Sequence, residues 1–356
     1  MRITVVTKEF PPQLSGIGDY ADRLATELSS RGHHLSVVCA SPAEPRATFD
    51  VHATLDMRDI AGVSRAIAST KPDVIVWQYN PFSAGSRGLP LRARAFARAL
   101  SRVAPLVVVF HELWFPWRRA GIKGLAWAIT QRAAARGVMM HAARWIVTTE
   151  LREAELADRR VRRIPIGTNV IPIGARTESG SFVVAHFGNA GSGRDLDPVC
   201  RAIEALRSEG IDARLLLLGD AGPVHVPATL VDAVEATGAI GLDVVAARLA
   251  SASVFVHCDP VGPAVGRRGT LVAALAHGLP LVAYRGPQTA PQLQDGYNVA
   301  LVDRDARAMT DVLRALATDP VRRRALGMAA KETFDAEFSW ERIGDRILAV
   351  LEEVAR

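Results

Sequence analysis

The chain has 356 residues, 49% hydrophobic and 22% charged, with a formal net charge of +6 and a pI of about 9.6. That balance excludes a disordered or fibrous chain and supplies apolar material for two cores of ordinary domain size. The basic excess is nearly all arginine. It suits phosphate-bearing small molecules, anionic lipid or nucleic acid and does not choose among them.

The pattern opens with a strand at Ile3–Val6, then a turn-rich loop from Pro11 to Gly18 and a helix from about Asp19 to Arg31 that Gly32 ends. Further strands are read at Leu35–Cys39, Val74–Trp77, Leu106–Phe110 and Ile146–Thr148, with helices near Leu91–Leu100 and Leu125–Met140. The stretch 162–181 has no long periodic run and reads as a connection. A second alternating series follows. Its strands are Phe182–Phe187, Arg214–Leu218, Val254–His257 and Leu281–Ala283, and its helices include Asp197–Glu209, Leu242–Ala250 and Thr270–His277. Three helical segments close the chain, near Asp305–Ala317, Pro320–Phe334 and Trp340–Val354. Strands alternating with helices predict α/β architecture with parallel, doubly wound sheets. Ligands of such sheets sit beyond the carboxyl ends of the strands.

Cys39, Cys200 and Cys258 are too widely spaced to read as a disulfide framework or a zinc pattern. The first apolar run is too short for a signal segment, and no run reaches the ~18 residues of a membrane span. A cytoplasmic protein is the expectation, with the inner face of the membrane left open.

Four segments carry candidate chemistry. In Ser15-Gly-Ile-Gly-Asp-Tyr20, Gly16 and Gly18 would let backbone N–H groups approach a phosphate, the plain reading being a connecting turn. In Phe110-His-Glu-Leu-Trp114, His111 could bond a sugar hydroxyl or a reacting oxygen, and Glu112 should point to the other side. Asp19, Glu112 and Tyr79 are the acceptor-side candidates. Gly262–Leu271 is the strongest anion signal. There Arg267 and Arg268 offer guanidinium forks, Gly269 permits close approach and Thr270 is read as the helix N-cap. In Phe187–Asp195, Arg194 could add a further positive charge to the same phosphates.

With those residues placed, the whole chain resembles glycosyltransferase family 4, of the GT-B fold. Phe10–Tyr20 with Leu24–His33 is similar to that family's opening loop and helix, and Leu215–Asp220 to its second C-terminal-domain strand. Thr237–Ile240 with Leu249–Val256 matches the stretch that frames the nucleotide base, here Gly238, Ala239 and Ile240. Ala274–Ala283 is the most specific piece, and Phe338–Glu341 with the last helix looks like the segment crossing back to the first domain. The resemblance implies two Rossmann-like domains facing across a cleft. They are a domain over 1–168, a linker over 169–180, a donor domain over 181–337 and a crossing helix over 338–356. It implies retaining, metal-independent transfer from a nucleoside-diphosphate sugar, which serves as co-substrate with no further cofactor. Gly16, Gly18 and the Arg268-Gly269-Thr270 turn would hold the diphosphate, Arg194 stands where the family has a phosphate-binding lysine, and His111 where it has a histidine near the donor sugar.

Two departures mark this chain. The family's two glutamates, eight positions apart, are replaced by Val265 and Ala273, and its Gly-Arg after the first strand of the second domain by Gly188-Asn189. The competing readings are an inactive sugar-nucleotide-binding or partner subunit, and an epimerase or phosphorylase on the same architecture. A sugar, a lipid-linked sugar or a small molecule would each serve as acceptor; nucleic acid is not expected as a partner. The mixed aromatic, apolar and basic stretch from Trp114 to Trp127 is either a peripheral membrane contact or a partly buried helix with a solvated basic face.

Overall fold

Runs of Val, Leu and Ile without polar alternation form strands that are covered on both faces. The computed structural model describes every residue except 118–120, 175, 178–179, 189–194, 221, 223 and 356. The chain divides into two compact units, Met1–Pro165 with Trp340–Arg356, and Ile166–Ser339.

In the first unit, strands β1 (Arg2–Val6), β2 (His34–Val38), β3 (Asp50–His52), β4 (Val74–Tyr79), β5 (Leu106–Phe110), β6 (Arg144–Val147) and β7 (Val161–Arg163) form one parallel sheet in the order β3-β2-β1-β4-β5-β6-β7. Helices α1 (Gly16–Ser30), α2 (Ile60–Ser69), α3 (Ala93–Leu100), α4 (Gly121–Met139) and α5 (Glu150–Leu156) lie between the strands. The order reverses between β1 and β4, so the loops after those strands flank the position where such sheets bind ligands.

In the second unit, β8 (Phe182–Phe187), β9 (Ala213–Leu218), β10 (Val234–Ala236), β11 (Val254–His257), β12 (Leu281–Tyr284) and β13 (Ala300–Val302) form a parallel sheet ordered β10-β9-β8-β11-β12-β13. Its helices are α6 (Asp197–Ser208), α7 (Leu242–Ala250), α8 (Gly269–Ala276), α9 (Ala306–Thr318) and α10 (Pro320–Glu337). Successive strand residues alternate between two apolar layers. Leu215, Leu217, Val254 and Val256 join one, and Leu216, Leu218, Phe255 and Leu281 the other. The reversal falls between β8 and β11.

The last helix, α11 (Trp340–Ala355), belongs to the first unit, burying Ile343, Ile347 and Leu351. It docks on α1, where the Arg31 guanidinium donates to Glu27 at 2.8 Å, Asp345 at 2.5 Å and the Glu341 carbonyl at 2.6 Å.

Several elements differ from the sequence expectation. Helix α1 begins at Gly16, not Asp19, because Ser15 caps it. Arg162 and Arg163, read as the start of a connection, lie in edge strand β7. Strands β3, β10 and β13 and helices α2 and α5 were not anticipated. No helix among the described residues is long and apolar enough to cross a membrane.

Candidate functional site

On the second unit, the loop after β11 is built by backbone closing on backbone. Gly286, beyond β12, sits so close to it that an added Cβ would lie 2.3 Å from the Val261 carbonyl carbon and 2.4 Å from Gly262 N. Gly262 has φ +90, a conformation glycine adopts at little cost. Gln288 N–H donates to Val261 O at 2.7 Å and Ala290 N–H to Pro263 O at 3.1 Å, zipping the two loops together. The chain then makes a 3-10 turn, Val265–Arg267, and enters α8.

Arg268 is the N-cap residue of α8, and its side chain makes no capping bond. The expectation that Thr270 caps this helix is corrected: Gly269 and Thr270 are its first two residues. Among the described residues nothing accepts from the Gly269 or Thr270 N–H. A Cβ on Gly269 would meet nothing nearer than Gly167 O and Ile166 Cδ1 at 4.0 Å, so the turn is roomy. These are the terms of an anion site: unsatisfied N–H groups, the positive end of a helix and a guanidinium.

Sequence reading missed the partner of that guanidinium. Arg268 Nη2 donates to Asp259 Oδ2 at 2.8 Å, and Asp259 is only 9% exposed. The other carboxylate oxygen accepts from Val261 N–H at 3.2 Å. Arg268 is therefore held in place by a carboxylate already anchored in the loop, with its remaining N–H groups available. Arg267 is half-buried in the 3-10 turn. Arg194 and Asn189 lie outside the described residues.

The two positions where the resemblance leads one to look for glutamates are closed. Val265 and Ala273 are fully buried in the core layer under α8. Gly238 and Ala239 are exposed just beyond edge strand β10, Gly238 with φ +62 bridged to Gly219, while Ile240 packs on the core.

On the first unit, two of the expected residues are structural. The Gly18 N–H is taken by Ser15 Oγ at 3.3 Å, and a Cβ there would lie 3.0 Å from the Glu9 carbonyl. Gly18 is a glycine for packing, not for phosphate, which corrects its expected role. Gly16 faces open space. Tyr79 is corrected too. Strand β4 runs two residues further than expected and buries that ring completely against Trp77 and Phe110, so it cannot touch an acceptor. Glu112 pairs with Arg152 at 3.1 Å, and Asp19 is half-buried in the first turn of α1, where burial and then Asp22 raise its carboxyl pKa.

His111 leaves β5 with its N–H on Tyr79 O at 3.0 Å. Its Nε2 donates to Oε1 of buried Gln78 at 2.8 Å, which leaves the Nδ1 lone pair as the acceptor. Tyr20 of α1 meets the ring edge-on at 5.1 Å and itself packs at a tilt on Trp340 of α11 at 5.2 Å, so His111 is tied to α1 directly and to α11 through Tyr20. Burial pushes the imidazole down to about 4, so it is neutral at physiological pH. In the unfolded chain it titrates near 6.5. As pH falls, the unfolded state takes the proton first, so the stability present above about pH 6.5 drains away down to pH 4. Urea unfolding at pH 7 and pH 4.5 should show an acid-linked loss about 2 kcal/mol larger in the parent than in His111→Gln. Equal losses would mean the ring is not buried neutral. Glu9 and Gln78, also at this end of the sheet, each bury a side-chain polar atom, Oε2 and Nε2, that has no hydrogen-bond partner. Nothing in the sequence marked either residue.

Among the described residues no group of three or more His, Cys, Asp or Glu side chains is placed to hold a metal ion.

Residues 15–174 match the family model of the glycosyl transferase 4-like domain, and residues 181–319 that of glycosyl transferases group 1. No curated protein matches the chain in sequence. Solved structures do match in fold. Sucrose-phosphate synthase from Thermosynechococcus elongatus is 17% identical, with TM-score 0.70 over 99% of this chain and 98% of that one. Anabaena HepE in complex with UDP and glucose is 14% identical, with TM-score 0.68 over 99% and 100%. WaaG, a glycosyltransferase involved in lipopolysaccharide biosynthesis, is 15% identical, with TM-score 0.66 over 98% and 99%.

Proposed function

We propose that this chain, of the GT-B fold glycosyltransferase superfamily, transfers a glycosyl group from a nucleoside-diphosphate sugar to an acceptor hydroxyl with retention at the anomeric carbon. The observation that carries the reading is Arg268, held by Asp259 beside the unsatisfied Gly269 and Thr270 N–H groups, at the strand-order reversal of the second sheet.

Cleavage of the sugar–phosphate bond places a full negative charge on the leaving diphosphate. Fixed donors aimed at that charge are usually the largest catalytic contribution. Arg268 supplies one fork and the α8 N-terminus the amides; Arg194 is assigned a second positive charge from its sequence position. The bond from the anomeric carbon to the phosphate oxygen breaks, and a bond to the acceptor oxygen forms on the same face. The acceptor proton passes to the departing phosphate, so no separate carboxylate is required. On the first unit, the Nδ1 lone pair of His111 is the acceptor that could take a hydroxyl proton. Gly238 and Ala239 line the base.

A second reading has its own support. With Val265 and Ala273 buried and apolar, neither usual carboxylate is present, as in a binding subunit without turnover. Donor hydrolysis or transfer in vitro separates the two readings.

Thermal unfolding with nucleoside diphosphates and their sugars tests donor binding. A ligand at about 100 times its Kd stabilises the folded state by about 2.7 kcal/mol. That corresponds to a rise of about 5–10 °C for units of this size. If inorganic phosphate raises Tm and no nucleotide does, the chain is a phosphorylase and this proposal is wrong.

A further inference from the structure

Residues 74–149 contain eleven Lys and Arg against one acidic residue, Glu112. That segment alone carries a formal +10, against +6 for the whole chain, so all other residues together are net acidic. Such segregation creates a one-signed field over the elements it covers.

Those elements are α3, α4 and the loops around them. Helix α4 is inverted relative to a surface helix. Up to its last turn, where Val138 and Met139 are buried, its buried positions are small or polar: Gly124, Ala128, Gln131, Ala134, Ala135 and Gly137. Its outward positions Ile122, Leu125 and Ile129 recur at helical spacing and are 89%, 49% and 52% exposed. Met140, just beyond the helix end, and Leu91, just ahead of α3, are exposed as well. Alongside runs a basic ridge. Arg94, Arg98 and Arg102 are exposed at intervals of four, and the Arg94 side chain lies against Gly137 of α4. Their closeness is felt at His141, whose imidazole is lowered first by burial and then by those three arginines. Among the described residues Arg94, Arg98, Arg102, Lys123 and Arg136 form no ion pair.

Of the aromatic residues from Trp114 to Trp127, Trp117 is exposed, with the Arg132 guanidinium over its ring at 4.2 Å, and the others are half-buried. Trp114 donates to Glu155, Trp127 to Arg87 O, and Phe115 stacks edge-on with Trp127. These rings brace the loop, and the aliphatic stripe on α4 faces outward instead.

We propose that this outer face of α3 and α4 docks on an anionic lipid bilayer, the stripe entering the acyl boundary and the arginine ridge lying on the headgroups. Long aliphatic side chains flanked by unpaired cations fit that surface. A nucleic-acid phosphate backbone is instead met by polar and basic side chains.

Co-sedimentation of the full chain with vesicles tests it. The protein should pellet with mixed phosphatidylglycerol–phosphatidylcholine vesicles at low salt, and not with phosphatidylcholine alone. Arg94→Gln/Arg98→Gln/Arg102→Gln should weaken binding on the order of 100-fold. Ile122→Gln/Leu125→Gln/Ile129→Gln should weaken it at least about tenfold. All six positions are exposed, and an unchanged Tm would show that both variants fold. Absence of pelleting at low salt, or either variant binding like the parent, overturns the proposal. Two further outcomes also overturn it. One is duplex DNA binding of equal strength that survives the aliphatic substitutions; the other is a lipid-free dimer in sedimentation velocity that those substitutions dissolve.

Discussion

Arg268→Ala is expected to lower kcat by about 10²–10³-fold while leaving the fold in place, the loss seen when one fixed donor to a developing negative charge is removed. The geometry makes the expectation more specific. Arg268 is paired with Asp259, whose carboxylate is nearly buried and keeps only the Val261 N–H when the guanidinium goes. An unopposed carboxylate then stands beside the position assigned to the phosphates. Alanine therefore removes an attraction and uncovers a repulsion. The double variant Arg268→Ala/Asp259→Asn should recover part of the donor affinity and none of the turnover, because the repulsion acts on bound donor while the fork acts on the leaving charge. Arg268→Lys should fall between, keeping the charge without the planar fork. Steady-state kinetics of the three variants with one donor decide the matter. Parent-like kcat in Arg268→Ala would remove this residue from the mechanism.

The second large effect is on stability. Gly286→Ala should cost about 3 kcal/mol, the upper end for overpacking, because the new Cβ collides with backbone that has no rotamer to retreat into. Its contacts are the Val261 carbonyl carbon at 2.3 Å and Gly262 N at 2.4 Å. Relief requires the loop after β11 to separate from the loop after β12, and that loop carries Asp259. Nucleotide binding should weaken together with stability. Gly269→Ala is the matched control, since its nearest neighbours lie at 4.0 Å. That variant should unfold at the parent's urea concentration. It should lose affinity only if phosphate approaches that backbone as closely as proposed. If Gly286→Ala proves as stable as the parent, the two loops are not in contact.

Strands β5, β8 and β11 were legible to the residue because each is a short, mainly apolar run, interrupted only by His186 in β8 and closed by His257 in β11. The three-residue strands β3, β7, β10 and β13 were not. Each is held by pairing with a neighbour, which a linear pattern does not record. Helix α5 buries no residue and α2 only Val63 and Ile67, so neither shows a stripe. Within the site, Arg268 and Gly269 could be singled out because a doubled arginine, a glycine and a helix start coincide. Asp259 could not, because nothing nine positions upstream tells a carboxylate to turn back to that guanidinium. Tyr79 and Gly18 were misplaced for a common reason: composition reveals a hydroxyl or a missing Cβ but not which neighbour will occupy its space.

Apolar periodicity, turn chemistry and loop position by themselves determined two parallel α/β sheets and the segments where anions could be bound, since these depend on residues near one another in the chain. The sequence also contained the concentration of arginine between residues 74 and 149, but that Ile122, Leu125 and Ile129 of α4 face outward was visible only in the structure. Only tertiary structure decided which charges are neutralised, which glycines are wedges and which polar atoms are left without a partner. Those outcomes depend on contacts between residues far apart in sequence, where burial and distance set whether a charge is quenched or available.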